Sequence, residues 1–146
     1  MVSTYETEAR DFMTRNKIKM SITFKDREVN RFWNENTKRN RYSVYIQNTD
    51  TNETMCVIFW DSVYDTEHNI TPTCYDILAC LTKYDPGEYE EFCSEFGYET
   101  ETENQFGRFT RNETAYKIWR ACCDEWKKVK RVFGEGEMLE ELREIS

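Results

Sequence analysis

Residues 70–98, ITPTCYDILACLTKYDPGEYEEFCSEFGY, decide how the chain folds. Their spacing predicts two short helices and the turn between them. Thr71 or Thr73 can serve as N-cap, with Pro72 in the first turn and an apolar face of Tyr75, Leu78, Ala79 and Leu81 or Thr82; a hydroxyl at that point accepts from the first-turn amides. Asp85-Pro86-Gly87 interrupts the helix, because proline has no N–H to donate and glycine reaches turn conformations closed to other residues. Tyr89, Phe92, Cys93 and Phe96 then recur at three- and four-residue spacing, and Gly97 stands where a helix stops.

Upstream of this pair the period changes from helix to strand. Residues 5–14 still read as an amphipathic helix, with Tyr5, Ala9, Phe12 and Met13 opposite Glu6, Glu8, Arg10 and Asp11. Ile18, Met20, Ile22 and Phe24 then alternate with polar residues, as do Tyr42, Val44 and Ile46, which predicts two strands with one buried face each. Between them, residues 26–40 hold no sustained period and read as a long hairpin connection or a ragged extension of the strands. Residues 48–52, NTDTN, supply turn chemistry. Residues 54–64 are apolar on both faces from Met55 to Trp60, which predicts a central strand, or one covered by helices on one side.

Downstream, residues 99–112 lack periodicity, carry Gly107 near their middle and read as a loop. Residues 113–133 form the longest predicted helix, with a stripe of Tyr116, Trp119, Ala121 or Cys122, Cys123, Trp126, Val129 and Val132 or Phe133, ended by Gly134. Residues 138–145 add a last short helix. A helix, three antiparallel strands and then about four helices make an α+β fold with the helices packed on one face of the sheet. Residues 1–146 are expected to form one domain, with 1–69 its helix and sheet and 70–146 its helical part.

The run Tyr75-Asp76-Ile77-Leu78-Ala79-Cys80-Leu81-Thr82-Lys83-Tyr84-Asp85-Pro86-Gly87, followed by Glu91-Phe92-Cys93-Ser94-Glu95-Phe96-Gly97-Tyr98, resembles a block in small, mostly uncharacterised proteins of phages and prophages from gut Firmicutes. The resemblance implies lineage and little about activity, since it brings no catalytic or binding residue; the phage context it implies favours an anti-CRISPR-like role for a small acidic protein without enzyme motifs. In such proteins the last long helix follows soon after the Gly-Tyr end, whereas this chain inserts residues 99–112.

Composition narrows the function. The chain is polar, yet 22 aromatic residues (4 Trp, 9 Tyr, 9 Phe) supply enough apolar area to keep it out of the disordered class. The first residues, MVSTYETEARDF, show no basic or apolar signal region and no apolar run nears membrane-spanning length, so a soluble, cytoplasmic protein is expected. Six cysteines, two of them adjacent, have poor spacing for a disulfide framework and read as reduced thiols. His68 is the only histidine and sits in a polar stretch without a nucleophile motif. No Cys-x-x-Cys and no glycine-rich phosphate loop occur among the sequence's thiols and five glycines. No enzyme, metal or cofactor is expected.

Charge is the informative polar feature, in a chain of net charge −8. Between residues 15 and 41 nine basic residues face three acidic ones; between 76 and 104 nine acidic residues face Lys83 alone. Acidic groups on a firm surface compete for the Lys and Arg groove of a nucleic-acid-binding protein. Asp85, Glu88, Glu90, Glu91, Glu95, Glu99, Glu101 and Glu103 are therefore the candidate partner-binding residues, and a bacterial defence effector such as a CRISPR nuclease is the expected partner. A solvated surface that merely aids solubility is the competing reading. The alternative function is direct nucleic-acid binding through Lys17, Lys19, Lys25, Arg39 and Arg41 with neighbouring aromatics.

Overall fold

The computed structural model describes residues 4–32, 35–63 and 71–145, without the side chains of 28–39 and 61–63. His68 lies outside the described residues. The elements run α1 (Thr4–Arg15), β1 (Ile18–Phe32), β2 (Glu35–Asn48), β3 (Thr54–Val63), α2 (Cys74–Leu81), α3 (Tyr89–Phe96), β4 (Glu101–Glu103), β5 (Phe109–Arg111), α4 (Glu113–Phe133) and α5 (Glu137–Ile145). A 3-10 turn, Thr82–Tyr84, follows α2. The α+β class and its order of helix, antiparallel sheet and helices are those predicted.

The three long strands are antiparallel in the order β1-β2-β3, so the apolar β3 is an edge strand and β2 is central. The expectation of a central third strand fails on this point, while its other half holds: β3 is covered by helices on one side only. Met20 pairs with Ile46 and Ile22 with Val44, and Val44 with Val57 and Ile46 with Met55 across β3. That face meets Ala9 and Phe12 of α1, Ile77, Leu78 and Leu81 of α2, Trp126, Val129, Val132 and Phe133 of α4, and Leu139 and Leu142 of α5. Side chains alternate along a strand, so the opposite face stays in water, with Lys19, Ser21, Ser43, Tyr45 and Cys56 exposed.

Both strands of the first hairpin continue through the aperiodic segment, and a β-bulge explains why no period shows there. The register shifts between Phe24 and Asp26, leaving Lys25 as the extra residue, and beyond it Asp26 faces Arg41 and Arg27 faces Asn40. One inserted residue shifts the phase of the pattern, so even-numbered Met20 and Ile22 pair with the core residues Ile46 and Val44, whereas even-numbered Asp26 pairs with Arg41. Arg27 Nε donates to Asn40 Oδ1 at 3.0 Å, giving the fully buried Asn40 a partner.

Two polar side chains join the layers. Asn48, buried at the end of β2, donates from Nδ2 to the Val132 carbonyl of α4 at 2.9 Å and accepts the Asp50 amide at 3.0 Å. Glu6 of α1 accepts the amides of Tyr75 at 3.0 Å and Cys74 at 3.3 Å, and Arg10 Nε at 3.0 Å. A carboxylate there satisfies orphan amides and the positive end of the α2 dipole. Thr73 forms the cap predicted for α2, as a reciprocal box with Asp76.

Residues 99–112 depart from the loop that was expected. They form a β-hairpin, β4 and β5, in which Glu101 pairs with Arg111 and Glu103 with Phe109. Its tip is an Asn turn: Asn104 Oδ1 accepts the amides of Phe106 and Arg108 at 2.9 and 3.0 Å, and Gly107 takes φ +73°. Asn112 fastens its base by donating to the Glu99 carbonyl at 2.9 Å while capping α4 through the Ala115 amide.

Candidate partner-binding surface

A second, smaller apolar cluster carries the acidic residues. Phe92 and Cys93 of α3 pack with Ala115 of α4, flanked by Tyr89, Trp119 and Cys122. The Tyr89 hydroxyl donates to the Thr100 carbonyl at 2.9 Å and Trp119 Nε1 to the Gly87 carbonyl at 3.0 Å, so the hairpin base and the turn before α3 are both held against this cluster. Arg111 lies over the Tyr116 ring at 3.5 Å and pairs with Glu113 at 3.1 Å. The flank made of α3, the hairpin and the start of α4 is therefore a built surface, which the sequence had not revealed.

On α3, Tyr89, Phe92 and Cys93 turn inward, and a helix with that buried face places Glu90, Glu91 and Glu95 on the exposed half. Glu88 precedes the helix and Glu99 follows it, both exposed, and Glu101 and Glu103 lie exposed on β4. These seven carboxylates make no ion pair among the described residues. Asp85, the eighth candidate, accepts the Gly87 amide at 2.9 Å and pairs with Arg143 of α5 at 3.2 Å. It belongs to the α5 contact.

Several carboxylates elsewhere behave differently. Asp26 pairs with Arg41, Glu141 with Arg15 at 2.7 Å, Asp50 with Lys17 at 3.4 Å, Glu125 with Lys128 at 2.9 Å and Glu135 with Lys130 at 3.2 Å. The Arg41 hydrogen bond holds the Asp26 carboxyl below its usual range, and those from Arg15 and Asn16 do the same for Glu141. Exposed carboxylates without an ion pair among the described residues also occur at Glu8, Asp11, Glu137 and Glu144, but the α3 and hairpin flank holds seven of them together with exposed aromatics: Phe96, Tyr98, Phe106 and Phe109, the last two 76% and 67% exposed.

The five basic candidates do not share one strand face. Lys17 sits before β1 in a left-handed turn, φ +58°, beside Asp50. Lys19 is on the open sheet face, Lys25 is exposed at the bulge, and Arg41 is engaged by Asp26 at 2.6 Å. Arg39 belongs to β2, opposite Glu28 and Ser62, with its side chain outside the described set.

Among the described residues no three His, Cys, Asp or Glu side chains converge on a metal-sized site. All six cysteines are free, and burial pushes the thiols of Cys74 and Cys123 upward, away from the thiolate a nucleophile needs. No described helix is long and apolar enough to cross a membrane. Compared with known protein families, characterised proteins and solved structures, the chain shows no match.

Proposed function

We propose that the protein is a phage-encoded stoichiometric inhibitor of a bacterial defence system, anti-CRISPR-like, which presents the α3 and hairpin flank to the basic nucleic-acid groove of an effector nuclease. One observation carries this reading: Glu88, Glu90, Glu91, Glu95, Glu99, Glu101 and Glu103 are exposed on hydrogen-bonded elements and have no internal ion pair among the described residues. Fixed, uncompensated anions gain from a cationic groove at little ordering cost, and long-range attraction speeds the encounter. Exposed Phe106 and Phe109 give such an interface aromatic anchors between the charges.

The test is phage plating on bacteria that carry a CRISPR effector, with and without the protein, followed by pull-down of the effector at low and high salt. Expression should restore plaques and retain the effector at low salt, and changing Glu88, Glu90, Glu91, Glu99 and Glu101 to Lys should abolish both. Full inhibition by that folded variant would rule out the electrostatic reading. The second reading, direct nucleic-acid binding through 17–41, draws support from the open sheet face, where Lys19, Tyr45 and Trp60 are exposed. It predicts that the same variant still retains nucleic acid.

A further inference from the structure

The two edges of the long sheet are built differently. β1 carries the devices that keep an edge from pairing: Lys19 along it, a bulge at Lys25 and Lys17 in the turn before it. From Thr54 to Trp60, β3 has no charge, proline or bulge, and its register against β2 is unbroken.

Hydrogen-bond parity shows which groups that edge offers. The Asn48 amide donates to the Glu53 carbonyl at 2.9 Å, which makes Asn48 and Glu53 a bonded pair continuous with the Gln47–Thr54 register. Antiparallel ladders alternate, so Met55, Val57 and Phe59 bond to β2. Thr54, Cys56, Ile58 and Trp60 therefore turn their amides and carbonyls away from the sheet. None of these outward groups meets a partner among the described residues. The side chains of the same four residues stand on the helix-free face, with Trp60 48% exposed.

We infer that β3 pairs with β3 of a second copy of this chain, antiparallel about a two-fold axis at Ile58, joining two sheets into one of six strands. Charge and the turn disfavour the two registers toward the start of the strand. An axis at Val57 sets Glu53 opposite Asp61, two carboxylates that repel; an axis at Cys56 runs the pairing into the 48–52 turn. The axis at Ile58 bonds Ile58 to Ile58, Cys56 to Trp60 and Thr54 to Ser62, sets Val57 beside Phe59, and leaves no carboxylate facing another. Both copies then carry their helices on the same side, and the apolar column Cys56-Ile58-Trp60 meets its own reverse. A copy of the chain suits this edge because the segment is uncharged in an otherwise acidic protein, so two copies approach there without like-charge contact. The inference stands apart from the proposed inhibition, which uses α3 and the hairpin of β4 and β5.

Light scattering after size exclusion tests it at about 0.1 mM, a concentration that reveals even a micromolar dimer. Wild type should show twice the chain mass. Ile58→Pro should halve it, because the N–H it removes points outward and the internal ladder is kept, and Ile58→Lys should do the same if the proline variant fails to fold. Tyr45→Lys, on the same open face but on the central strand, should remain dimeric. Mild oxidation of Ile58→Cys in a Cys56→Ser background should give a disulfide-linked dimer, whereas wild-type Cys56 gives none. A monomeric wild type, a dimer that survives Ile58→Lys, or a folded monomer from Tyr45→Lys would each overturn the proposal.

Discussion

The sheet with α1, α2 and α5 and the flank of α3 with its hairpin use the same residue types to opposite ends. In the first region four carboxylates are internal fasteners: Glu6 caps α2, Asp26 holds Arg41, Glu141 holds Arg15 and Asp85 holds Arg143, beside the exposed Glu8, Asp11, Glu137 and Glu144. Across the flank seven carboxylates make no ion pair among the described residues, and the rings of Phe96, Phe106 and Phe109 are exposed. Identical chemistry is used partly by folding in one place and left available in the other. The apolar base under the flank is small, Phe92, Cys93 and Ala115 against sixteen buried residues in the main cluster among those described, so it holds a surface in shape without deciding whether the chain folds.

The largest effect should come from the main cluster. Phe133 is 1% exposed and stacks on Phe12 with ring centres 6.2 Å apart. Phe133→Ala should cost about 4 kcal/mol in urea unfolding, as large-to-small changes in packed cores do. A loss below about 1 kcal/mol, the typical cost of any single change, would mean that the main cluster does not carry the stability.

Next comes Glu6. Burial alone would raise its pKa, but the Tyr75 amide, Arg10 and the Cys74 amide together hold the carboxyl below its ordinary value. A folded-state pKa below the unfolded one stabilises the protein above the unfolded value, about 4.5, and that contribution disappears as pH falls through the folded value. Glu6→Gln should therefore lose about 2 kcal/mol at neutral pH, and the gap between variant and wild type should close as pH falls below the unfolded value of 4.5 and through the lower folded one. A gap that persists at low pH would show that the side chain acts by shape and not by charge.

The fold was legible where a period survived, as at Ile18 to Ile22, Tyr42 to Ile46 and residues 113–133, and where glycines end helices at Gly97 and Gly134, with φ +75° and +76°. It was illegible where one residue changed the phase. The bulge at Lys25 scrambles the pattern of residues 26–40, although the ladder continues. The hairpin at 101–111 was missed because its strands are three residues long and exposed on both faces, so no alternation can exist. Asn104 and Gly107, three apart, were its one readable signal. Glu6 capping a helix 68 residues away leaves no local trace. Of the candidate surface, the excess of acidic residues was plain in the sequence; that Asp85 is paired and the other seven are not depends on where Arg143 lands.

Detaching the hairpin sharpens the contrast further. The Asn112 side chain joins Glu99 to the first turn of α4, beside the Asn112 amide and the Tyr89 hydroxyl, which both donate to the Thr100 carbonyl. Asn112→Ala should cost about 1 kcal/mol of global stability while amide exchange across residues 101–111 accelerates far more than that across β2. Equal acceleration in both would make the flank part of the main cooperative unit, contrary to the division drawn above.

The smallest effect on stability carries the sharpest argument. Glu95 stands in the last turn of α3, where the helix dipole disfavours a negative charge, and no basic residue shares that turn. Glu95→Lys should therefore raise stability by about 0.5 kcal/mol, with a correspondingly small rise in thermal midpoint. A surface acting only through solubility has no use for a carboxylate held against its own helix, and it predicts that inhibition is unchanged by the swap. An electrostatic inhibitor predicts that the more stable variant inhibits less, with the loss greatest at low salt, where the anion's attraction reaches furthest. Stability and inhibition moving in opposite directions would tie the charge to a partner; inhibition that ignores the swap would return Glu95 to the solvated surface.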